Sequence, residues 1–200
     1  MTRFQLHKQE WENCQRCELC HTRQRVVLFR GVIPCDVLFI GEAPGRSEDS
    51  LGRPFIGPAG KLLDQIIERS FPHSEEADLP QGYALSYGIT NLVGCIPLEG
   101  GKKTLEPSVE QIQSCAPRLQ EIVEIAKPKL LVAVGNLARD WIDQKYAGGV
   151  RLPPIPQIAI THPSAILRAN IAQRGLLVQR AIVAIRDGVE EILSNFSTTP

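Results

Sequence analysis

Six cysteines are the first chemical feature of this sequence. Disulfides are rare inside cells, so four or more cysteines in an intracellular chain indicate a metal site. Cys14 and Cys17 form a C-x-x-C pair, which Cys20 extends with the same spacing. A set of four thiolates suits a tetrahedral zinc ion or an iron–sulfur cluster, and spacing alone does not separate the two. Cys35 opens an apolar run and is interpreted as an ordinary buried thiol.

A second group of candidates consists of three polar side chains and one aromatic ring. Glu42 stands in GEAPG, a glycine- and proline-rich turn that follows an apolar run. The amide of Asn91 carries both donors and an acceptor, so it either satisfies strand ends or reads a pyrimidine edge. His162 lies in THPS, and Ser164 after it holds a phosphate or caps a helix. Phe55, on a Gly- and Pro-rich loop, either caps the core or stacks on a flat ring.

Alternating strands and helices are predicted to position these residues. Apolar and β-rich runs predict strands over 36–40, 87–93, 129–135 and 155–160, and helical spacing predicts helices over 5–20, 58–71, 107–127, 136–146 and 171–194. Pro117 is expected to kink or divide the third helix. The pattern predicts an α/β fold with a largely parallel sheet and helices on both faces. Ligands bind beyond the carboxyl ends of such strands, where Glu42, Asn91 and His162 all fall.

Length and charge limit the classes of function. The 200 residues fit a single domain, 1–200, and the 22 basic residues balance the 22 acidic ones. Four arginines and no acid between 161 and 186 predict a local basic face, with ordinary solvated arginines as the alternative. Neither G-x-G-x-x-G nor a P-loop is present, which argues against a nucleotide cofactor. Without an apolar run of about 18 residues or an apolar signal core, we expect an intracellular, cytoplasmic protein with no membrane span.

Four motifs together resemble the family 4, or iron–sulfur, uracil-DNA glycosylases. They are CQRCELCHTRQRVV from residue 14, GEAPGRSEDSLGRPFIGPAGKLLD from 41, NLVGC from 91 and THPSAILR from 161. The resemblance implies a three-layer α/β/α domain with a four-stranded, mostly parallel sheet. It also implies an enzyme that flips uracil out of DNA and hydrolyses its N-glycosidic bond. Nothing in the sequence indicates a stable oligomer, so we expect a monomer, with a frayed tail at about 195–200.

The same resemblance implies roles for individual residues. Phe55 stacks on the uracil ring, Asn91 reads its edge, and His162 donates to O2 of the departing base. The turn that includes Gly41 and Glu42 resembles the turn that binds the base and activates water. The segment that resembles the loop entering the minor groove to fill the vacated space comprises Ser164, Ile166, Leu167 and Arg168.

The resemblance also assigns the metal ligands. Cys14, Cys17, Cys95 and Cys115 match the four thiolates that hold a [4Fe–4S] cluster, with an N-terminal cluster-binding segment at about 10–30. Iron is favoured over zinc by the resemblance alone, and Cys20 is left as a spare. Because base hydrolysis transfers no electron, the expected task of the cluster is to pin the loop between residues 95 and 115.

Two departures from the family pattern leave alternatives open. Ala43 stands where glycosylases with a GQDPY turn carry the acid, so Glu42 acts either by its carboxylate or by its backbone. Glu48 and Asp49 are further candidates for positioning water.

The second departure is the segment 96–103, which lacks the Arg-Pro-Pro of the family and contains a small insertion. Lys102 and Lys103 are candidates to replace the missing arginine as phosphate contacts. The alternative functions are therefore an enzyme or binder for a different modified base, and a non-catalytic DNA-binding protein with a metal cluster.

Overall fold

The computed structural model describes residues 1–71, 84–100, 102–143 and 151–194. The tail predicted to be frayed, 195–200, lies outside the described residues. The strands are β1 (Arg30–Gly31), β2 (Val37–Gly41), β3 (Tyr87–Asn91), β4 (Leu98–Glu99), β5 (Lys103–Thr104), β6 (Leu130–Val134) and β7 (Gln157–Ile160). The α-helices are α1 (Arg3–Trp11), α2 (Arg46–Leu51), α3 (Pro58–Ser70), α4 (Val109–Ala126), α5 (Asn136–Ile142), α6 (Pro163–Arg168) and α7 (Ile171–Ser194).

The central sheet has five strands in the order β1-β3-β2-β6-β7. Strands β3, β2, β6 and β7 are mutually parallel, and β1 pairs with β3 in the antiparallel direction. The predicted α/β fold with a mostly parallel sheet is confirmed. The predicted count of four strands is wrong by one, because the edge strand β1 has only two residues and leaves no pattern of alternation. A separate hairpin pairs β4 with β5.

Helices cover both faces of this sheet. The inner strands β2 and β6 are buried along their whole length, so they present apolar side chains to both sides. Leu38 and Ile40 pack with α4 and α5 on one face. Val37 and Phe39 pack with α3 and α7 on the other. The three-layer arrangement expected from the resemblance is therefore confirmed.

Two predicted helices differ from the observed ones. The helix expected over 5–20 ends at Trp11, and only a 3-10 turn follows at Glu18–His21. The residues between them leave the helical path and carry Cys14 and Cys17. Pro117 was expected to kink or divide the third helix, and it does not divide it, since α4 continues through it. Proline removes one backbone donor, and the capping box formed by Ser108 with Gln111 and the buried apolar face of α4 stabilise the helix.

The remaining helices agree with the prediction in place, although α5 is described only to Ile142 and the predicted residues 144–146 lie outside the described ranges. The two six-residue helices, α2 and α6, were not predicted. Within the described residues, no helix has the length and apolar character needed to cross a membrane.

Candidate active site

The carboxyl ends of β2, β3 and β7 lie at one rim of the sheet. A cavity of about 270 Å³ opens there, lined by the turn after β2, by the loop that carries Phe55, by the end of β5 with the residue after it, and by the start of α6. The lining residues are Glu42, Ala43, Pro44, Gly45, Glu48, Phe55, Ala59, Thr104, Leu105, His162 and Ser164. Asn91 lies beside this cavity, next to Gly41 and the Phe55 ring.

Asn91 is the last residue of β3, and its side chain is buried without a partner. Its exposure is 1 %, and neither Oδ1 nor Nδ2 has a hydrogen-bond partner among the described residues. Its main chain is held firmly, because the Arg118 guanidinium donates to the carbonyls of Asn91 and Leu92. A buried amide left unpaired costs about 1–3 kcal/mol. Such a group requires an explanation, and a ligand with a complementary polar edge supplies one.

Phe55 is fixed in an unusual backbone conformation, with φ of 53°. The carboxylate of Glu48 holds the loop by accepting hydrogen bonds from the Ile56 and Gly57 N–H groups at 2.9 and 2.8 Å. At Gly60 in α3, an added Cβ would overlap the Phe55 carbonyl group, so only glycine permits this approach. The ring is 6 % exposed and packs against the core, so it caps the core and also lines the cavity.

His162 precedes α6 and faces the Phe55 ring, with 5.8 Å between the ring centroids. The Ser164 N–H donates to Nδ1 of His162 at 3.2 Å, and the Ser164 hydroxyl lies 2.8 Å from the same nitrogen. Burial lowers the pKa of His162, and the positive charge of Arg168 lowers it further. The imidazole is therefore neutral at neutral pH. Because a backbone N–H only donates, Nδ1 is the acceptor and the ring proton is on Nε2.

Glu42 follows Gly41 at the end of β2 and lines the cavity. Burial raises the pKa of its carboxyl group, and the nearby charge of Glu106 raises it further. The Glu42 carbonyl accepts a hydrogen bond from the Val93 N–H at 3.2 Å, which ties this turn to the segment after β3.

The other two acids considered for positioning water have structural partners. Asp49 is 3 % exposed, and its carboxylate accepts hydrogen bonds from the Gln24 N–H at 3.0 and 3.1 Å. It therefore holds the N-terminal segment and does not line the cavity described above. Glu48 does line the cavity, but one of its oxygens is used to hold the Phe55 loop.

The predicted DNA-binding segment divides between core and surface. Ile166 was predicted to form part of the wedge, but as placed its side chain is fully buried in the core and does not reach the surface. Pro163 begins α6, and residues three apart on a helix share a face, so Pro163 and Ile166 both turn inward. Leu167 is half-buried and Arg168 is exposed, so both are available at the surface.

The four cysteines assigned as ligands surround one small cavity, of about 10 Å³, although they come from distant parts of the chain. Burial raises the pKa of Cys95 to about 12, and the neighbouring Cys115 and Cys17 act in the same direction. The Cys115 sulfur accepts hydrogen bonds from the Gly94 N–H and from Nε of Arg118, both at 3.3 Å. Cys35 is buried elsewhere in the core, as predicted.

These residues fit a thiolate-bound cofactor by their chemistry. Four thiols share one cavity, and two N–H donors already point at the Cys115 sulfur, as they do around bound thiolates. As placed, no three His, Cys, Asp or Glu side chains of the described residues are arranged to hold a metal ion.

Three residues of this site had no signal in the sequence. Arg118 follows Pro117 on a helix and looks like a surface residue, yet its exposure is 1 %. Its Nη1 and Nη2 atoms donate hydrogen bonds to the Thr90 hydroxyl and to the carbonyls of Asn91 and Leu92. Its Nε donates to the Cys115 sulfur. Thr104 and Leu105 reach the cavity from the β4–β5 hairpin, which belongs to the segment where the sequence departs from the family pattern.

Comparisons with known proteins identify the family and the fold. The model of the uracil DNA glycosylase superfamily matches residues 30–185. The type-4 uracil-DNA glycosylase of Sulfurisphaera tokodaii is 35% identical over 138 residues, which cover 69% of this chain and 57% of that protein. Its counterpart in Saccharolobus solfataricus is 32% identical over 145 residues, covering 72% and 61%. That of Pyrobaculum aerophilum is 30% identical over 172 residues, covering 78% and 81%.

The chain thus spans about three fifths of the length of the first two relatives. The crystal structure of wild-type Pedobacter heparinus SMUG2 shares the fold with a TM-score of 0.51 and 14% identity, covering 76% of this chain and 75% of that one. The resemblance noted in the sequence is confirmed. The chain belongs to the uracil DNA glycosylase superfamily and, within it, to the type-4 uracil-DNA glycosylases.

Proposed function

We propose that this protein is a DNA-repair enzyme that hydrolyses the N-glycosidic bond between uracil and deoxyribose in DNA. The single observation that carries the proposal is the Asn91 amide, which is buried beside Phe55 and lacks a partner among the described residues. Membership of the family and the names of its relatives support the same activity.

Recognition of uracil follows from the Asn91 amide. Uracil presents N3–H as a donor and O4 as an acceptor on one edge. Oδ1 of Asn91 accepts from N3–H while Nδ2 donates to O4, so one side chain satisfies both groups. The Phe55 ring beside it stacks on the face of the base. A base inside a duplex cannot reach such a pocket, so the nucleotide must be flipped out first.

His162 stabilises the leaving group. As the glycosidic bond breaks, negative charge develops on the uracil ring, including O2. A neutral imidazole with its proton on Nε2 donates a hydrogen bond to that oxygen, and one such preorganised donor lowers the barrier by about 3–4 kcal/mol. Ser164 acts as a positioning residue, since its contacts with Nδ1 fix both the ring orientation and the tautomer.

Glu42 supplies the carboxylate near the sugar. When it is ionised, it stabilises positive charge on the deoxyribose and orients the attacking water. Its carbonyl already accepts from the Val93 N–H, which favours the side chain as the acting group. Asp49 is removed from the alternatives by its bonds to the N-terminal segment.

The partner of this site is DNA containing uracil. Leu167 and Arg168, at the exposed end of α6, are the proposed contacts in the vacated space and on the backbone. Lys103 is a weaker candidate for a phosphate contact, because it lies 3.9 Å from Glu99 and is partly neutralised by it. The expected monomer remains a prediction that size-exclusion chromatography with light scattering will check.

We propose further that Cys14, Cys17, Cys95 and Cys115 hold a [4Fe–4S] cluster, with zinc as the alternative. The chemistry of the four thiols and the donors to Cys115 supports this assignment. The bound cofactor would cross-link the N-terminal segment to α4 and would take no part in the hydrolysis. Iron, sulfide and zinc analysis of protein purified without oxygen separates the two cofactors.

A second candidate function is excision of a different modified base by the same pocket. The observation that favours it is the β4–β5 hairpin, which differs from the family pattern and leads into two cavity-lining residues, Thr104 and Leu105. Oligonucleotides carrying uracil or other altered pyrimidines at one position will separate the two functions. Abasic sites formed only at uracil support the first proposal, whereas cleavage only at another base replaces it.

A further inference from the structure

A basic groove lies at the other end of α2 from the active site. Its volume is about 680 Å³, and α1, the segment leading into β1 and the end of α2 form its walls. Of the described residues that line it, Lys8, Arg25, Arg30 and Arg53 are basic and Glu12 alone is acidic. None of the residues assigned to the base pocket belongs to it.

The charge of this groove is only partly compensated. Arg30 is paired with Asp64, which lies 2.7 Å away. Arg25 donates from Nε to the Ser50 carbonyl at 3.0 Å, which anchors its guanidinium without neutralising it. The exposed side chains of Lys8 and Arg53 have no acidic partner among the ion pairs of the described residues. A surface of this kind attracts a polyanion.

Two aromatic rings line the groove together with these cations. The Phe4 and Phe29 rings line the groove in an edge-on pair with centroids 5.5 Å apart, and the Lys8 ammonium lies 5.9 Å from the Phe4 centroid. Cations interleaved with aromatic rings are the usual composition of surfaces that bind single-stranded nucleic acid, because phosphates pair with the cations and bases stack on the rings.

Short segments of the protein chain run from the base pocket to the groove, so the two cavities lie close together. Helix α2 begins at the pocket, after Gly45, and ends at the groove, before Gly52; its six residues span about 9 Å. Arg53 in the groove is also two residues from Phe55 in the pocket. A strand whose base occupies the pocket therefore has only a short distance to cover to reach the groove.

We propose that this groove binds a stretch of unpaired DNA strand that flanks the flipped nucleotide. This inference rests on the proposed function in one respect: that the bound strand is the one that carries the flipped nucleotide. Binding of single-stranded DNA to the groove is a separate property and is measured separately.

The test uses the double variant Lys8→Ala/Arg53→Ala, with Arg69→Ala as the control for removal of an exposed arginine on α3. Fluorescence anisotropy measures binding of a labelled single-stranded oligonucleotide without uracil. We expect about tenfold weaker binding by the double variant. The slope of log affinity against log salt concentration should be shallower by about 0.7 for each phosphate that is no longer neutralised. The control should bind as the wild type does.

The failure of this inference is distinguishable from failure of the proposed function. Suppose that the wild type does not excise uracil but the double variant still binds the oligonucleotide more weakly. The proposal for the groove is then supported, and the proposed glycosylase activity is refuted. If the double variant binds the oligonucleotide like the wild type, the inference is overturned. It is also overturned if the substitutions weaken binding of poly-glutamate but not of DNA, because the groove would then be a site for an acidic peptide.

Discussion

Phe55 and Asn91 meet at the same face of Gly41: a Cβ atom added there would lie 2.5 Å from Oδ1 of Asn91 and 2.5 Å from two carbons of the Phe55 ring. Two of the three groups proposed to hold the base are thus packed against a residue with no side chain. The absence of that side chain allows the amide and the ring to approach each other.

Gly41→Ala should therefore disable the pocket. The new methyl group must push aside the amide, the ring or both, and overpacking of this kind costs about 1–3 kcal/mol of stability. We expect at least a roughly hundredfold loss of uracil excision, because misplaced contacts weaken catalysis strongly. Single-turnover cleavage of a uracil oligonucleotide measures it.

The matched control for this substitution is Gly175→Ala in α7. A Cβ added at Gly175 meets no atom within 4 Å, so this change should leave activity intact and raise helix stability by about 0.5–1 kcal/mol. Equal activity of the two variants would contradict the assigned pocket.

Asn91→Ala should separate function from stability. Because the Asn91 side chain has no partner among the described residues, its removal should leave the free energy of unfolding unchanged or raise it by about 1 kcal/mol, while excision of uracil is largely abolished. Urea denaturation and the cleavage assay give the two quantities.

Thr90→Ala is the control for Asn91→Ala, because it removes a buried side chain that does have hydrogen-bond partners. Thr90 is equally buried, but its hydroxyl donates to the Leu28 carbonyl at 2.8 Å and accepts from Arg118 at 3.2 Å. This variant should lose about 1–3 kcal/mol of stability. If Asn91→Ala destabilised the protein as much as Thr90→Ala, Asn91 would be a structural residue.

His162→Ala should lower kcat by roughly 10²–10³, the usual effect of removing one donor to a developing anion. Ser164→Ala removes only the hydroxyl contact and keeps the backbone N–H that fixes Nδ1, so its effect should be about fivefold. Substrate binding by both variants should stay near that of the wild type. An equal loss in the two variants would show that the histidine acts through its serine contact and not as a donor.

The pH dependence of excision should be controlled by two groups with opposite shifts. The pKa of His162 is lowered from its ordinary value of 6.5, so the ring is neutral above that pH and gains a proton only below it. The pKa of Glu42 is raised from 4.5, so its carboxylate is protonated at a higher pH than usual. We therefore expect kcat/KM to fall as the pH drops from 6.5 toward 4.5.

The variant Glu42→Gln simplifies this profile. Its remaining fall at acid pH belongs to His162 alone and should begin below 6.5. Circular dichroism at each pH shows that the protein stays folded over the range. A profile that falls already above 6.5 in this variant would exclude His162 as the neutral donor.

Cys95→Ala should remove the proposed cofactor. We expect loss of bound iron and of visible absorbance, and a lower melting temperature. The control is Cys35→Ala, which also removes a buried thiol from the core but one that lies away from the cavity shared by the four cysteines. Iron content that is unchanged in Cys95→Ala would refute the ligand assignment.

The rim of the sheet was predictable from the sequence because each feature there is local. A buried strand ends, and a polar residue or a glycine turn follows it, as at Gly41, Asn91 and His162. Since parallel strands align their carboxyl ends, the meeting of these residues follows from the strand order alone.

Features that depend on the packing of distant segments were not predictable. The burial of Ile166 depends on the phase of a six-residue helix, which is too short to show a period. The two-residue strand β1 exists only because β3 offers it an edge. The burial of Arg118 depends on oxygens supplied by residues 26 or more positions away and on a sulfur of its own helix, and a sequence pattern does not record these contacts.

Arg118 connects the cysteine cavity to the strand that ends in the base pocket. Its Nη2 donates hydrogen bonds to the carbonyls of Asn91 and Leu92 at the end of β3, and its Nε donates to the Cys115 sulfur. A change at that sulfur would therefore act on the same side chain that holds the strand presenting Asn91. One arginine thus contacts both the cysteine cavity and the strand that ends at Asn91, although that cavity and the base pocket share no lining residue.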